Sequence, residues 1–306
     1  MTLPESYRLI KPSIVAIVRK YEPHIEGTTV PEAPFIIGTG FIVGDGLVAT
    51  NHHVASIIDS QPRPSTAPRE EWPVVCYMFL EMDEHNLGLV PLKVIGKTET
   101  LSYKPQGPWY GPEIPDVSLI NVEARELPQA SIQPDAAILQ EGLDLATAGF
   151  PMGRDTLMAP GYMHQHGPTL QRGILGALLP FPRTLPHAFI VNVLTQGGSS
   201  GSPVFLPDTG EVVGIVYAGL NEPAMTAKKD VYIRPTAVTY AIPAGFLDVT
   251  LKERRKAGEL DTSSNLPTLK QLIETLPQRE SNGPIRSEPA GPLSEKEISV
   301  LNVRQS

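Results

Sequence analysis

The chain of 306 residues holds one cysteine, Cys76, so no internal disulfide can close. A disulfide-stapled secreted framework is thereby excluded, and a cytoplasmic setting is the expectation. The stretch from Met1 to Lys11 carries Glu5 and lacks the apolar core of a leader peptide, and the run Ile14 to Val18 is too short to span a membrane. That run reads instead as the first strand, and no membrane partner is expected. Positive charge is also scarce. With a net charge of −8 and no basic cluster larger than Arg254-Arg255-Lys256, nucleic acid is not an expected partner. Aromatic residues make up only 6%, but 41% apolar residues suffice for a globular core. The 32 prolines and 26 glycines break the apolar residues into short runs, which points to an all-β fold rather than alternating strands and helices.

The most informative string is Thr195-Gln196-Gly197-Gly198-Ser199-Ser200-Gly201-Ser202-Pro203-Val204-Phe205, a glycine-flanked serine turn that feeds a strand. A serine hydroxyl attacks only when a base takes its proton and N–H groups receive the oxyanion, and glycines let a turn aim two amides at one point. Ser200 fits the nucleophile's place. Gly198 stands two residues before it and Gly201 directly after, so the Gly198 and Ser200 amides can form an oxyanion hole. Ser199 and Ser202 lack that arrangement.

Upstream, Gly38 to Val43, the turn Gly44-Asp45-Gly46 and Leu47 to Val54 read as a β-hairpin that ends in His52-His53. A histidine just past a strand end is rigid yet accessible, as a general base must be. Between histidine and serine, Asp116 opens the alternating apolar strand Val117 to Val122. A carboxylate held there can fix an imidazole's tautomer and stabilise the imidazolium. Asp83 and Asp144 compete for that role, but neither opens so clear a strand.

Taken together, Thr50-Asn51-His52-His53-Val54, Asp116-Val117-Ser118-Leu119-Ile120 and Gly198-Ser199-Ser200-Gly201-Ser202-Pro203 resemble the trypsin-like serine peptidases, and especially the HtrA (Deg) catalytic domain. Gly149-Phe150-Pro151-Met152-Gly153, Gly214-Ile215-Val216 and Tyr240-Ala241-Ile242-Pro243 agree with the same branch, and the likeness spans roughly residues 10 to 250. The resemblance implies a chymotrypsin-like fold of two six-stranded antiparallel β-barrels with C-terminal helices. It also implies a triad of His53, Asp116 and Ser200, with His52 at a variable place. No cofactor and no metal are implied.

Two departures carry consequences. Trypsin has an aspartate just before its nucleophile, which binds the newly cut N-terminus; Ser199 stands here, so maturation by zymogen clipping is not expected. Beyond Gly258 only about fifty residues remain, too few for a PDZ domain. In the family the pocket floor lies six residues before the nucleophile, at Leu194, which offers no carboxylate to Lys or Arg. Thr195 and the wall Tyr217-Ala218-Gly219 complete an open pocket, and cleavage after small or medium apolar residues is expected.

The domain is read as residues 1–258, closed by a helix over Phe246 to Ala257 with Gly258 as its cap. Leu266, Leu269, Leu272, Ile273 and Leu276 recur at helical spacing, with Pro267 in the first turn, so 259–276 reads as an amphipathic helical extension. Its stripe needs a barrel surface or a partner's groove. Residues 277–306 read as a flexible tail. Ser60 to Arg69 and Tyr103 to Pro115 read as loops beside the cleft. His164 and His166 share one strand face, but no cysteine or carboxylate stands at ligand spacing, so metal is not expected. The leading reading is a serine endopeptidase acting on protein or peptide substrates, its activity restrained by a regulatory partner or a narrow substrate range. The alternative is a non-catalytic module that docks peptides or partners on the same fold.

Overall fold

The computed structural model describes residues 1–21, 35–62, 65, 67–68, 70–81, 87–98, 114–153, 167–181, 186–225, 231–260 and 265–276. The Tyr103 to Pro115 loop (apart from Ile114 and Pro115), the His164/His166 tract and the 277–306 tail lie outside them, as do residues 63, 64, 66 and 69 of the Ser60 to Arg69 loop.

Among the described residues twelve strands form two closed antiparallel barrels. The first contains β1 (Ile14–Arg19), β2 (Ile36–Gly44), β3 (Leu47–Thr50), β4 (Val74–Glu81), β5 (Leu87–Thr98) and β6 (Ser118–Val122), in the order β1-β2-β3-β6-β5-β4. The second contains β7 (Asp144–Gly149), β8 (Thr169–Leu179), β9 (Ala188–Val191), β10 (Pro203–Phe205), β11 (Val212–Met225) and β12 (Val231–Pro243), in the order β10-β11-β12-β9-β8-β7. Closure removes the free edges that an open sheet would present. This is the chymotrypsin-like architecture.

Burial explains the continuous apolar runs. In β1, Val15 and Ile17 point into the first barrel with Ile42, Val48, Met78 and Ile120. Ile14, Ala16 and Val18 point the other way, into a cluster shared with Ala146, Phe205 and Ile215 of the second barrel. Successive strand residues face opposite sides, so a strand sandwiched between two cores is apolar at every position. A third cluster, with Leu175, Phe189, Val204 and Val216, fills the second barrel.

Among the described residues four α-helices decorate the barrels: α1 (Leu3–Ile10), α2 (His52–Ser56), α3 (Ala244–Lys256) and α4 (Leu269–Glu274). The sequence reading missed α1, although Thr2 and Glu5 carry the capping-box pattern, and the Thr2 N–H donates to Glu5 Oε2 at 2.7 Å. Ser6 Oγ ties α1 to the Pro207 carbonyl at 2.7 Å, and Tyr7 OH ties it to that of Pro168 at 2.8 Å. α3 ends as expected. Gly258, at φ +71°, lets its own N–H and that of Glu259 reach the Arg255 and Arg254 carbonyls, a Schellman closure. α4 begins at Leu269 rather than at Pro267, because Thr268 and Gln271 cap each other reciprocally. Its apolar stripe docks on the first barrel, packing Leu269, Leu272, Ile273 and Leu276 against that core. The Arg125 N–H holds the approach segment by the Pro267 carbonyl at 2.9 Å. None of the described helices is long and apolar enough to cross a membrane.

Cys76 is fully buried in the first barrel, and burial pushes its thiol up to about 12 from 9.0. Below pH 9.0 the thiol is neutral in both folded and unfolded chains. Between pH 9.0 and about 12 only the unfolded chain releases the proton, so stability declines as pH rises across that window. Urea midpoints at pH 8 and pH 10 should therefore fall more for the parent than for Cys76→Ala. Native protein should also resist Ellman's reagent until denatured.

Candidate active site

The histidine and aspartate sit at the ends of first-barrel strands. β3 stops at Thr50, and Asn51 opens α2 in an extended conformation, which sets His53 at the helix's second position. Asn51 Nδ2 donates to the Asp116 carbonyl at 2.9 Å, so the two loops are fixed to one another. Asp116 then grips His53 twice. Its Oδ1 accepts the His53 backbone N–H at 2.8 Å, and its Oδ2 lies 2.6 Å from His53 Nδ1. A carboxylate only accepts, so in the neutral imidazole this contact places the proton on Nδ1 and the lone pair on Nε2. It is thus His53, not His52, that Asp116 engages. The rival Asp144 instead pairs with Arg172 at 3.0 Å on the surface, and Asp83 lies outside the described residues.

The serine turn belongs to the second barrel. Gln196 to Ser199 form a tight turn closed by the Ser199 N–H on the Gln196 carbonyl at 3.0 Å. Its third residue, Gly198, stands at φ +94°, as type II turns require. Gly201, at φ +89°, admits no side chain: a Cβ there would lie 1.9 Å from the Thr39 carbonyl oxygen. Ser199 and Ser202 are buried, whereas Ser200 borders an open pocket. Among the described residues, the N–H groups of Gly198 and Ser200 donate to no protein acceptor. Two unspent amides flanking an accessible hydroxyl are what an oxyanion hole needs. No hydrogen bond joins Ser200 to His53 among the described residues, and such contacts are often long before substrate binds.

Thr39, on β2, joins the two halves, and the sequence reading did not single it out. Its N–H donates to the Ser200 carbonyl at 2.8 Å and its Oγ1 to the Gly198 carbonyl at 2.7 Å. The same hydroxyl accepts the Phe150 N–H at 3.2 Å, while the Thr39 carbonyl accepts Thr50 Oγ1 at 2.8 Å. One buried threonine therefore sets the serine turn against the strand that leads to His53.

The pocket encloses about 280 Å³. Thr195, Gln196, Gly197, Ser199 and Ser200 contribute from the serine turn, Val216, Ala218, Gly219 and Asn221 from β11, and Pro235 from β12. Of the residues expected in a substrate pocket, Thr195, Ala218 and Gly219 line this cavity. Two expected residues are elsewhere. Leu194 is 44% exposed, with its N–H and carbonyl turned to the Gln171 side chain, and does not line the pocket. Tyr217 lies across from Tyr240, ring centroids 6.1 Å apart, and not in the pocket. Burial raises the Tyr217 phenol above its ordinary range, with charge on Tyr240 and Asp116 adding to it. Asn221 and Pro235 were missed, because only strand pairing, Asn221 opposite Pro235, brings them together. Among the described residues no cluster of three or more His, Cys, Asp or Glu could hold a metal.

The sequence profile of the trypsin-like peptidase domain matches residues 38–215, more than half of the chain. The chain belongs to the trypsin-like peptidase family. No curated protein matches it significantly in sequence. Solved structures that resemble it include Rv3671c from M. tuberculosis H37Rv, as an inactive serine-to-alanine mutant, with 16% identity, a TM-score of 0.45, and coverage of 84% of this chain and 93% of that one. The HtrA-type protease AlgW, solved with a decapeptide, has 15% identity, a TM-score of 0.48, and coverage of 85% and 68%. Deg5 has 18% identity, a TM-score of 0.47, and coverage of 83% and 94%. Among the described residues no PDZ-type unit accompanies the two barrels.

Thr39→Val keeps shape but strands the Gly198 carbonyl and the Phe150 N–H. Loss of about 1–3 kcal/mol is expected in urea unfolding. Fluorophosphonate labelling of the still-folded variant should also slow, because Gly198 is no longer anchored.

Proposed function

We propose that the chain is a serine endopeptidase working through an acyl-enzyme. Ser200 Oγ attacks the scissile carbonyl carbon while His53 Nε2 takes its proton. The carbonyl oxygen, now an oxyanion, accepts from the Gly198 and Ser200 amides. As the C–N bond breaks, His53 returns the proton to the leaving amine, and a water then repeats the sequence to release the acid and restore Ser200. Asp116 holds the imidazole tautomer throughout. The observation that carries this reading is the double hydrogen bond from His53 to Asp116, which leaves Nε2 as the only ring nitrogen free to act.

The specificity reading follows from the pocket's chemistry. Among the described residues that line it there is no carboxylate, so Lys and Arg gain no partner there. Val216, Ala218 and Gly219 leave room for a side chain, and the buried Thr195 spends its hydroxyl on Thr239 at 2.8 Å. Cleavage after small or medium apolar residues is the match.

Fluorophosphonate should label the intact protein and neither Ser200→Ala nor His53→Ala. Asp116→Asn should lower turnover on the order of 10³–10⁴-fold while the fold survives. A peptide-library screen should favour Ala and Val before the cut; dominance of Arg or Lys there would overturn the specificity, and absent labelling would favour a docking module.

A further inference from the structure

β11 and β12 run on past the barrel as a two-stranded arm. The ladder continues through Asn221 opposite Pro235, Pro223 opposite Ile233 and Met225 opposite Val231. Directly paired residues share a face, and alternate residues along a strand return to it. One face of the arm is therefore Pro223, Met225, Val231 and Ile233, apolar throughout. The opposite face carries the Glu222 and Arg234 ion pair with Ala224 and Tyr232. The apolar face is the more open one: Met225 is 65% exposed, Val231 66% and Ile233 66%, against 40% for Tyr232 on the other face. A soluble barrel ordinarily turns such residues inward, and a contiguous exposed apolar strip marks an interaction site.

The strip has a direction. Asn221 and Pro235, next on the same face toward the barrel, line the pocket beside Ser200. A polypeptide whose side chain enters that pocket would meet the strip with its flanking residues. We propose that this arm face is a docking strip for an aliphatic segment of the polypeptide substrate, continuous with the pocket. The proposal rests on the peptidase reading for its choice of occupant. It adds a second level of selection: the pocket reads one side chain, and the arm reads the apolar character of the sequence around it.

Binding can be measured apart from catalysis. The probe is a fluorescein-labelled peptide with a Val- and Ile-rich segment beside a single Ala, and the parent is the full chain carrying Ser200→Ala, which cannot cleave it. Adding Met225→Glu and Ile233→Glu should weaken binding by about tenfold or more, as expected when central apolar anchors are lost. Adding Tyr232→Glu, on the opposite face of the same arm, should change it by less than about twofold. Equal loss from both faces, no loss from either, or no binding by the parent overturns the docking strip. So does a result in which the Met225 and Ile233 substitutions split a dimer in sedimentation yet leave peptide binding intact, since the occupant is then a second copy. Arm-dependent binding by a protein whose unsubstituted form takes no fluorophosphonate would sustain the strip while refuting the catalytic reading.

Discussion

The Thr39 N–H donates to the Ser200 carbonyl at 2.8 Å, and this link between barrels is the constraint on which the site depends. His53 and Asp116 stand on loops of the first barrel, and the serine turn on the second, so neither barrel alone contains the constellation. Packing through Ala16, Phe41, Ala146 and Phe205 brings the barrels together without fixing their sliding position. Apolar contact is non-directional. Thr39 supplies the direction, through a buried side chain and backbone that reach the turn on both sides of Ser199.

Electrostatics within the site follow from the same geometry. The Asp116 carboxylate has both oxygens committed to His53 and its own backbone carbonyl committed to Asn51, so the loop cannot swing without losing three bonds. The serine turn is arranged in the opposite sense. Its carbonyls at residues 196, 198, 199 and 200 are engaged, while the amides of Gly198 and Ser200 are left over. Acceptors satisfied and donors unspent make a site that waits for negative charge.

Much of this was legible in the sequence, for local reasons. The serine turn, the Asp45-Gly46 hairpin and the aspartate two residues ahead of β6 are short-range patterns, and the structure contains that turn, hairpin and strand. Alternation alone would have misled at β1, where Ile14 to Val18 are all apolar because both faces are buried. What stayed hidden was tertiary. Thr39 looks like an ordinary strand residue until the second barrel arrives. Asn221 and Pro235 are fourteen positions apart and meet only through the β11–β12 register. Leu194 misled because counting back from Ser200 cannot register that its backbone turns toward Gln171. α1 was an avoidable miss, since Thr2, Pro4 and Glu5 spell a helix start.

The central claim is that Ser200 and two amides form one reactive centre oriented by His53. The most direct measurement is a crystal structure of the adduct with a peptidyl phosphonate. The account predicts phosphorus bonded to Ser200 Oγ, its oxygen within hydrogen-bond distance of the Gly198 and Ser200 N–H groups, and the side chain of the inhibitor in the pocket lined by Ala218 and Gly219. Phosphorus on any other residue, or an oxygen directed away from those two amides, would contradict it.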